Sequence, residues 1–294
     1  MEKVPTPEEQ IAAIIDLSLA EDLGHGDVTS EILVPPELEG QATISAKESG
    51  IVAGVEIAGK VFRRVDPSIS FNVLSRDGTA VKDGDKIAGV SGKVISILKA
   101  ERTALNFLQR LSGIASLAAK YTAETHGLET YIADTRKTTP GLRVLEKHAV
   151  HMGGGRNHRL HLGDGILIKD NHLAALRAIG MNLKDIVARA KKKAPHGLKV
   201  EVEVDSVQEA MEAGEAGADI IMLDNMNPDD MRQVVNSLKG KVKIEASGGI
   251  NLSNVRQAAL TGVDYISIGA LTHSPKAMDI SLEFDPKSFK SASP

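Results

Sequence analysis

The stretch at 199–225, KVEVEVDSVQEAMEAGEAGADIIMLDN, contains the repeating unit that decides the fold. Two short apolar strands, KVEVEVDS and ADIIMLDN, flank a helical pattern that runs from Val207 to Ala216. A strand, a helix and a second strand in this order predict two parallel strands joined by a right-handed crossover.

The same unit recurs on both sides of this stretch, from residue 131 onward. Four further strands are predicted, TYIADT, GILIKDN, KIEASGGI and DYISIGA. A polar or small residue ends each of the six strands: Asp134, Lys169, Glu203, Asp224, Ser247 and Gly269. In a β/α barrel these ends face one mouth, where catalytic residues collect. The pattern predicts an incomplete, TIM-like α/β barrel, and an ordinary open α/β sheet is the alternative because six strands fall short of eight.

The first third of the chain has a different pattern. A helix is predicted from Pro7 to Leu23, followed by strand and turn material and by a long helix from Leu98 to Thr125 that Gly113 interrupts. We therefore predict an N-terminal α/β (α+β) domain over 1–113, which the segment 275–294 could join. The barrel domain is predicted over 114–274.

The composition excludes several classes of function. The 294 residues carry a formal net charge of −4 and no cysteine, which excludes disulfides, thiolate metal sites and cysteine nucleophiles. Nucleic acid is not an expected partner of an acidic surface. No apolar run approaches the ~18 residues of a membrane span, and the N-terminus MEKVPTPEEQ lacks the apolar core of a secretory signal. We expect a cytoplasmic protein without a membrane partner.

Positive charge is concentrated between Asp134 and His172. Five of the nine histidines and seven lysines and arginines fall there, around the glycine triplet 153–155. Such a cluster in a net-acidic protein predicts a cleft for a small polyanion, with the glycines bringing backbone N–H groups close to the ligand. The histidine pairs spaced three apart suggest a metal site instead, but Arg156 and Arg159 beside them would repel a cation.

Arg136 and Lys137 follow a strand end, where they could hold two anionic groups; a solvated charged loop is the alternative. Lys169 could reach the barrel mouth or could instead mark a helix start with Asp170 as its N-cap.

Acids and glycines follow on the later strands. Glu201, Glu203 and Asp205 alternate, so all three are predicted to point to one face. With Asp224 on the neighbouring strand, Glu203 could hold Mg²⁺, bind ribose hydroxyls or pair with nearby cations. Small residues follow the last two strands, namely Ser247, Gly248, Gly249 and Gly269. They predict phosphate-binding turns, although they could simply form tight turns without a ligand.

Taken together, these motifs resemble the quinolinate phosphoribosyltransferase family. The resemblance rests on EDLGHGDVTS, GIVAG, ERTALNFLQRLSGIA, TRKTTPGLRVLEK, GGGRNHR, LIKDNH, VEVEVDS, MLDN, EASGGI and ISIGALTHS, in that order along almost the whole chain. It implies decarboxylating transfer of a phosphoribosyl group from 5-phosphoribosyl 1-pyrophosphate (PRPP) to quinolinate in NAD biosynthesis. It also implies a homodimer with shared sites, which could assemble as a hexamer (a trimer of dimers).

The resemblance also implies roles for individual residues. Thr135 and the nearby cations would surround quinolinate, and these cations are Arg136, Lys137, His158, Arg159 and Lys169. Arg102 would be donated to the same site by the neighbouring subunit. Glu203 and Asp224 would serve the ribose hydroxyls and Mg²⁺, and together with Lys169 they are the predicted catalytic residues. The predicted 5-phosphate site consists of Ser247, Gly248, Gly249 and Gly269.

Two positions depart from the family pattern, His151 and His161, and their roles stay open. Within the class, a nicotinate phosphoribosyltransferase or the molybdenum-associated homologue is the alternative, but nicotinate has one carboxylate and needs fewer cations. A non-catalytic phosphate-sugar binding protein is the alternative outside the class. The combination of Glu203, Asp224 and Lys169 argues against it, because anion binding alone needs no paired acids.

Overall fold

In the computed structural model, residues 6–290 are described. The elements in chain order are α1 (Pro7–Leu23), α2 (Val28–Leu33), β1 (Glu39–Ala46), β2 (Gly50–Ile51), α3 (Val55–Val65), β3 (Ser70–Val73), β4 (Ala80–Val81), β5 (Lys86–Lys93), α4 (Val94–Glu124), β6 (Tyr131–Ala133), α5 (Arg143–Met152), β7 (Ile166–Ile168), α6 (Asp170–Arg177), α7 (Leu183–Lys193), β8 (Val200–Val204), α8 (Val207–Glu215), β9 (Ile220–Asp224), α9 (Pro228–Leu238), β10 (Lys243–Ser247), α10 (Val255–Ala259), β11 (Tyr265–Ser267), α11 (Ala270–His273) and β12 (Ile280–Phe284).

The chain forms two compact units. The first contains the residues up to Ala119, Thr139–Gly154 and the residues from Ser274 on, and the second contains Lys120–Thr138 and Gly155–His273. The predicted division at residue 113 falls inside α4, and the segment 139–154 is grouped with the first unit, so the division at 113 stays a prediction.

The first unit is an α+β structure. Its antiparallel sheet has the order β12-β1-β5-β3, so the chain's last strand pairs with its first. The helix α1 begins at a capping box: Glu9 N–H donates to the Thr6 hydroxyl while the Glu9 side chain accepts from Thr6 N–H. The predicted bounds of α1 are confirmed.

The predicted interruption of the long helix at Gly113 is wrong. The helix α4 continues from Val94 to Glu124, and Gly113 is buried within it. A Cβ at this position would collide with the backbone carbonyl of Lys276. Glycine is therefore present because another segment of the chain packs against the helix at this point, and not because the helix ends.

The second unit contains a parallel sheet of six strands in the order β6-β11-β10-β9-β8-β7, the six that the sequence predicts. Its register places Ser247 opposite Asp224, so the carboxyl ends of β9 and β10 lie side by side. Among the described residues, the two edge strands β6 and β7 do not pair with each other. Arg156 forms an isolated β-bridge with Ala133 of β6.

The sheet is strongly curved. His158 donates its backbone N–H to Asp134, which follows β6, while its ring contacts Glu201 on β8. These strands are four places apart in the sheet, which would separate them by roughly 19 Å if the sheet were flat. The contact therefore requires the sheet to curl on itself, as the predicted incomplete barrel does. No helix among residues 6–290 is long and apolar enough to span a membrane.

Candidate active site

A cavity of about 320 Å³ opens at the carboxyl ends of the parallel strands of the second unit. We call it the mouth pocket. It is lined by Thr135, Arg136, Lys137, His158, Arg159, Leu167, Lys169, Glu203, Met222, Asp224, Ser247 and Ser267. The structure thus brings together all the predicted site residues except Arg102 and the three glycines, and it does so at the end of the sheet where barrel chemistry is expected.

Local hydrogen bonds fix the cationic wall of the pocket. Lys137 N–H donates to the Thr135 hydroxyl at 3.0 Å, and Thr272 donates its hydroxyl to the Lys137 carbonyl at 2.7 Å. Arg159 donates from Nη1 to the Gly165 carbonyl at 3.1 Å. Burial, and then the neighbouring Arg136, lower the pKa of the Arg159 guanidinium. The mutual repulsion of these cations is relieved by an anionic ligand, which is what such a wall can bind.

Lys169 is the N-cap of α6, and its backbone N–H donates to Nδ1 of His172 at 3.0 Å. The alternative assignment of Asp170 as N-cap is therefore wrong, because the helix begins at Asp170, one residue earlier than that assignment requires. His172 stabilises the helix start that presents Lys169 to the pocket.

Two acids face the cations across the pocket. Burial is the main cause that raises the pKa of Glu203, and repulsion by Asp224, Asp170 and Glu201 adds to it, while Lys169 opposes it. Two neighbouring carboxylates at the ends of adjacent strands form a suitable place for a cation. The Asp224 carboxylate also accepts from the Asn225 amide at 2.9 Å.

The predicted phosphate turns border the pocket. Gly248 and Gly249 have φ of 82° and 62°, which glycine adopts without strain. A Cβ at Gly269 would lie 3.0 Å from the Lys137 side chain and 3.2 Å from the His273 ring, so glycine leaves room for both. His273 was missed by the sequence reasoning, although it lies in the ISIGALTHS motif.

Beneath the mouth pocket lies a polar layer that we call the barrel floor. Four of its residues are buried, Asp134, Glu201, Glu245 and Ser267, while His158 is half-buried and Asn157 is exposed. Asp134 is fully buried and accepts from Asn157 Nδ2 at 2.7 Å and from His158 N–H at 2.8 Å. Ser267 donates its hydroxyl to Glu245. Burial raises the pKa of Glu245 to about 7, and the nearby Glu201 adds to the effect.

His158, Glu201 and Glu245 each offer a ligand atom within 4.8 Å of the others, and this is the single such group among the described residues 6–290. The imidazole does not fit a metal, however. Arg159 N–H donates to Nδ1 at 2.8 Å, so the ring proton is on Nε2 and points to Glu201, 3.1 Å away. A metal at Nε2 would require that proton on Nδ1, where the Arg159 N–H already points.

Several expectations were wrong. Asp205 lies beyond the end of β8 and is exposed, so it does not share a face with Glu201 and Glu203. The N–H groups of Gly153 and Gly154 donate to carbonyls of α5 and cannot contact a ligand. Gly153 is required instead because a Cβ there would collide with the Ala115 backbone.

The remaining histidines play other parts. His148 contacts Asp77 at 2.8 Å, so it is a structural histidine of the first unit. His151 and His161 are exposed. Arg102 is exposed on α4 in the first unit.

The sequence reasoning also missed Glu245, Ser267 and Asn157. Glu245 is two residues before Ser247 on β10, as Glu201 is two residues before Glu203 on β8. This period of two was the available signal, because residues i and i+2 of a strand share a face. A larger cleft of about 1640 Å³ lies at the opposite, amino-terminal end of the strands.

Comparisons with known proteins agree with this geometry. Residues 27–112 match the model of the N-terminal domain of quinolinate phosphoribosyl transferase, and residues 114–283 match that of its C-terminal domain. A probable nicotinate-nucleotide pyrophosphorylase [carboxylating] from Bacillus subtilis is 42% identical over 274 residues, covering 93% of this chain and 93% of that protein. The chloroplastic nicotinate-nucleotide pyrophosphorylase [carboxylating] of Arabidopsis thaliana is 43% identical over 297 residues, covering 95% and 84%.

A solved structure shares the fold as well. The nicotinate-nucleotide pyrophosphorylase from Francisella tularensis superimposes with a TM-score of 0.89 at 38% identity, over 96% of this chain and 98% of that one.

Proposed function

Since this chain belongs to the quinolinate phosphoribosyl transferase family, we propose that it makes nicotinate mononucleotide for NAD biosynthesis. The reaction joins quinolinate to PRPP and releases pyrophosphate and carbon dioxide. The observation that carries the proposal is the mouth pocket, in which a cationic wall faces two carboxylates at the carboxyl ends of parallel strands.

The cationic wall suits the pyridine diacid. Arg136, Arg159 and Lys169 can bind two carboxylates, with the guanidinium groups offering paired N–H donors. Lys137 and Thr135 lie in the same wall and complete the proposed quinolinate site. His158 lies in the same wall, and its ring is held by contacts of Nε2 with Glu201 and of Nδ1 with the Arg159 N–H.

The carboxylates suit the sugar and a metal ion. Burial raises the pKa of Glu203, and the nearby Asp224 adds to the effect. This pair of carboxylates fits Mg²⁺ held by one or two carboxylates and by substrate phosphates. When bound, Mg²⁺ would neutralise charge on the departing pyrophosphate. The same acids can accept from the ribose hydroxyls, while Ser247, Gly248 and the following glycine offer N–H donors to the 5-phosphate.

In the transfer step the pyridine nitrogen attacks the anomeric carbon as its bond to pyrophosphate breaks. The sugar passes through a cationic, oxocarbenium-like state, which Glu203 and Asp224 stabilise electrostatically. The bond from ring carbon 2 to its carboxylate then breaks, leaving its electron pair beside the new pyridinium nitrogen. Carbon dioxide departs and a proton replaces it, so no protein nucleophile is needed.

The direct test supplies PRPP and Mg²⁺ with either quinolinate or nicotinate. We expect equal amounts of nicotinate mononucleotide and carbon dioxide from quinolinate, measured by chromatography and by release of labelled carbon dioxide. Turnover of nicotinate without turnover of quinolinate would assign the chain to the alternative one-carboxylate reaction.

We further propose that two subunits share each site, with Arg102 supplied by the partner chain. Its support is the exposure of Arg102 on α4 and of the apolar side chains Val28, Ile32 and Leu33 in the same unit. Mixed dimers of Arg102→Ala and Lys169→Ala subunits should recover activity at one site. Verified mixed dimers without activity would contradict a shared site. Hexamer assembly and the cytoplasmic location stay predictions.

A further inference from the structure

Among residues 6–290, Asn225 is the single non-glycine residue with a positive φ, 55°. It follows Asp224, the last residue of β9, at the edge of the mouth pocket. Glycine adopts this left-handed conformation without cost, and asparagine is the side chain that tolerates it best. A strained residue at such a position calls for a reason in its side chain.

The Asn225 amide has two neighbours that belong to different parts of the proposed site. Nδ2 donates to Oδ2 of Asp224 at 2.9 Å. The other side of the amide covers Gly248: a Cβ on Gly248 would lie 2.5 Å from both Cγ and Oδ1 of Asn225. Gly248 therefore lacks a side chain partly because the amide already fills that space.

The backbone of Asn225 makes a third connection. Its N–H donates to the Ser247 carbonyl at 2.9 Å, which extends the pairing of β9 with β10 beyond the last strand residues. One residue thus contacts the acid at the end of β9 and the turn at the end of β10.

We propose that Asn225 is a positioning residue for the phosphoribosyl donor. It fixes the Asp224 carboxylate, which we assign to the ribose hydroxyls and Mg²⁺, relative to the Ser247–Gly249 turn, which we assign to the 5-phosphate. The inference rests on the proposed function, because it presumes that both groups bind one PRPP molecule.

The geometry has a specific consequence for the two substrates. Asn225 touches the acid and the phosphate turn, whereas the cations assigned to quinolinate lie on and after other strands. Loss of the amide should therefore weaken the binding of PRPP and leave the binding of quinolinate nearly unchanged. A general structural defect would weaken both.

The test uses Asn225→Gly and Asn225→Ala in the full chain. Both remove the amide, but glycine tolerates the positive φ, so Asn225→Gly should fold normally and Asn225→Ala should melt at a lower temperature. The dissociation constant of PRPP, measured by calorimetry with Mg²⁺ present, should rise about 10- to 100-fold in both variants. The dissociation constant of quinolinate should change by less than about twofold.

Asn227→Gly is the matched control. Asn227 lies two residues away and caps α9 by accepting from Asp229 and Asp230 N–H, so its loss should lower the melting temperature without changing PRPP affinity. A double-mutant cycle of Gly248→Ala with Asn225→Gly should show coupling in stability, because the second change removes the group that the new methyl meets.

The outcomes separate the two proposals. Wild-type affinity for PRPP in both Asn225 variants would overturn the role of Asn225 and leave the proposed function intact. Equal losses for PRPP and quinolinate would also overturn it, since they would show a structural role. A wild-type protein that binds no PRPP would overturn the proposed function and this assignment with it.

Discussion

The mouth pocket and the barrel floor are built from the same strands and use their acids in opposite ways. On β8, Glu203 faces the mouth pocket, while Glu201, two residues earlier, is 4% exposed and accepts from His158. On β10 the same step separates the floor residue Glu245 from Ser247 in the mouth. The floor acids are buried beside His158 and Ser267, although Glu201 Oε1 has no hydrogen-bond partner there, whereas Glu203 faces the mouth pocket. Depth along the strand therefore decides which acid can reach a ligand in the mouth pocket.

The strongest test of this contrast is Glu203→Gln. Removing a charge that stabilises the cationic sugar in the transition state should lower kcat/KM by about 10²- to 10³-fold. The free energy of unfolding should stay level or rise, because Glu203 is repelled by neighbouring acids. Steady-state kinetics and urea denaturation measure the two quantities.

Glu201→Gln is the matched variant in the floor. This variant should chiefly change the free energy of unfolding and should have only a small effect on kcat/KM, because Glu201 accepts from His158 inside the barrel. A kinetic loss for Glu201→Gln as large as that for Glu203→Gln would break the distinction between the layers.

Glu245→Gln tests the floor through pH. Burial raises the pKa of folded Glu245 to about 7 from an ordinary value of 4.5. Between these values the folded chain holds a proton that the unfolded chain has lost, so the stability of the wild type falls as pH rises through this window. The variant lacks this loss, and its stability relative to wild type should improve by up to about 3 kcal/mol between pH 5 and pH 8.

Urea denaturation at both pH values measures the difference. The control is Glu215→Gln, an exposed glutamate on α8, which should keep the wild-type pH dependence. A pH profile of Glu245→Gln that parallels the wild type would show that Glu245 is ionised in the folded protein.

Arg136→Ala tests the mouth pocket from its cationic wall. The loss of a charged donor should weaken quinolinate binding about 10- to 100-fold, as measured by calorimetry, and should affect PRPP less. Arg232→Ala, on the exposed surface of α9, should leave both affinities at the wild-type level. Unchanged quinolinate affinity in Arg136→Ala would remove this arginine from the proposed site.

Ser267→Ala should have the smallest effect. It removes the hydroxyl that donates to Glu245, which should cost about 1 kcal/mol of stability. Because this hydrogen bond lowers the pKa of Glu245, its loss should move the upper end of the pH window to higher pH. The pH dependence of unfolding measures the shift, and it should vanish in the Ser267→Ala/Glu245→Gln double variant.

The sequence by itself determined the six parallel strands and most of the mouth pocket. Alternating strands and helices predicted all six parallel strands, because apolar periodicity reports which residues are buried. Placing polar residues at strand ends was enough to predict that Lys169, Glu203, Asp224 and Ser247 meet, since parallel strands bring their carboxyl ends to one edge. Asp134, predicted at the same mouth, is instead fully buried and does not line the pocket.

Only the tertiary structure decided contacts between segments that are distant in the chain. Gly113 was predicted to interrupt a helix, and Gly153 was predicted to lie in a ligand-binding loop. Each glycine is present instead because the backbone of another segment packs against it. His158 was predicted to lie at the quinolinate site, but its ring contacts Glu201 on a distant strand, which no local pattern indicated. A linear pattern specifies which face a residue occupies, while curvature of the sheet decides which residue it meets there and at what depth.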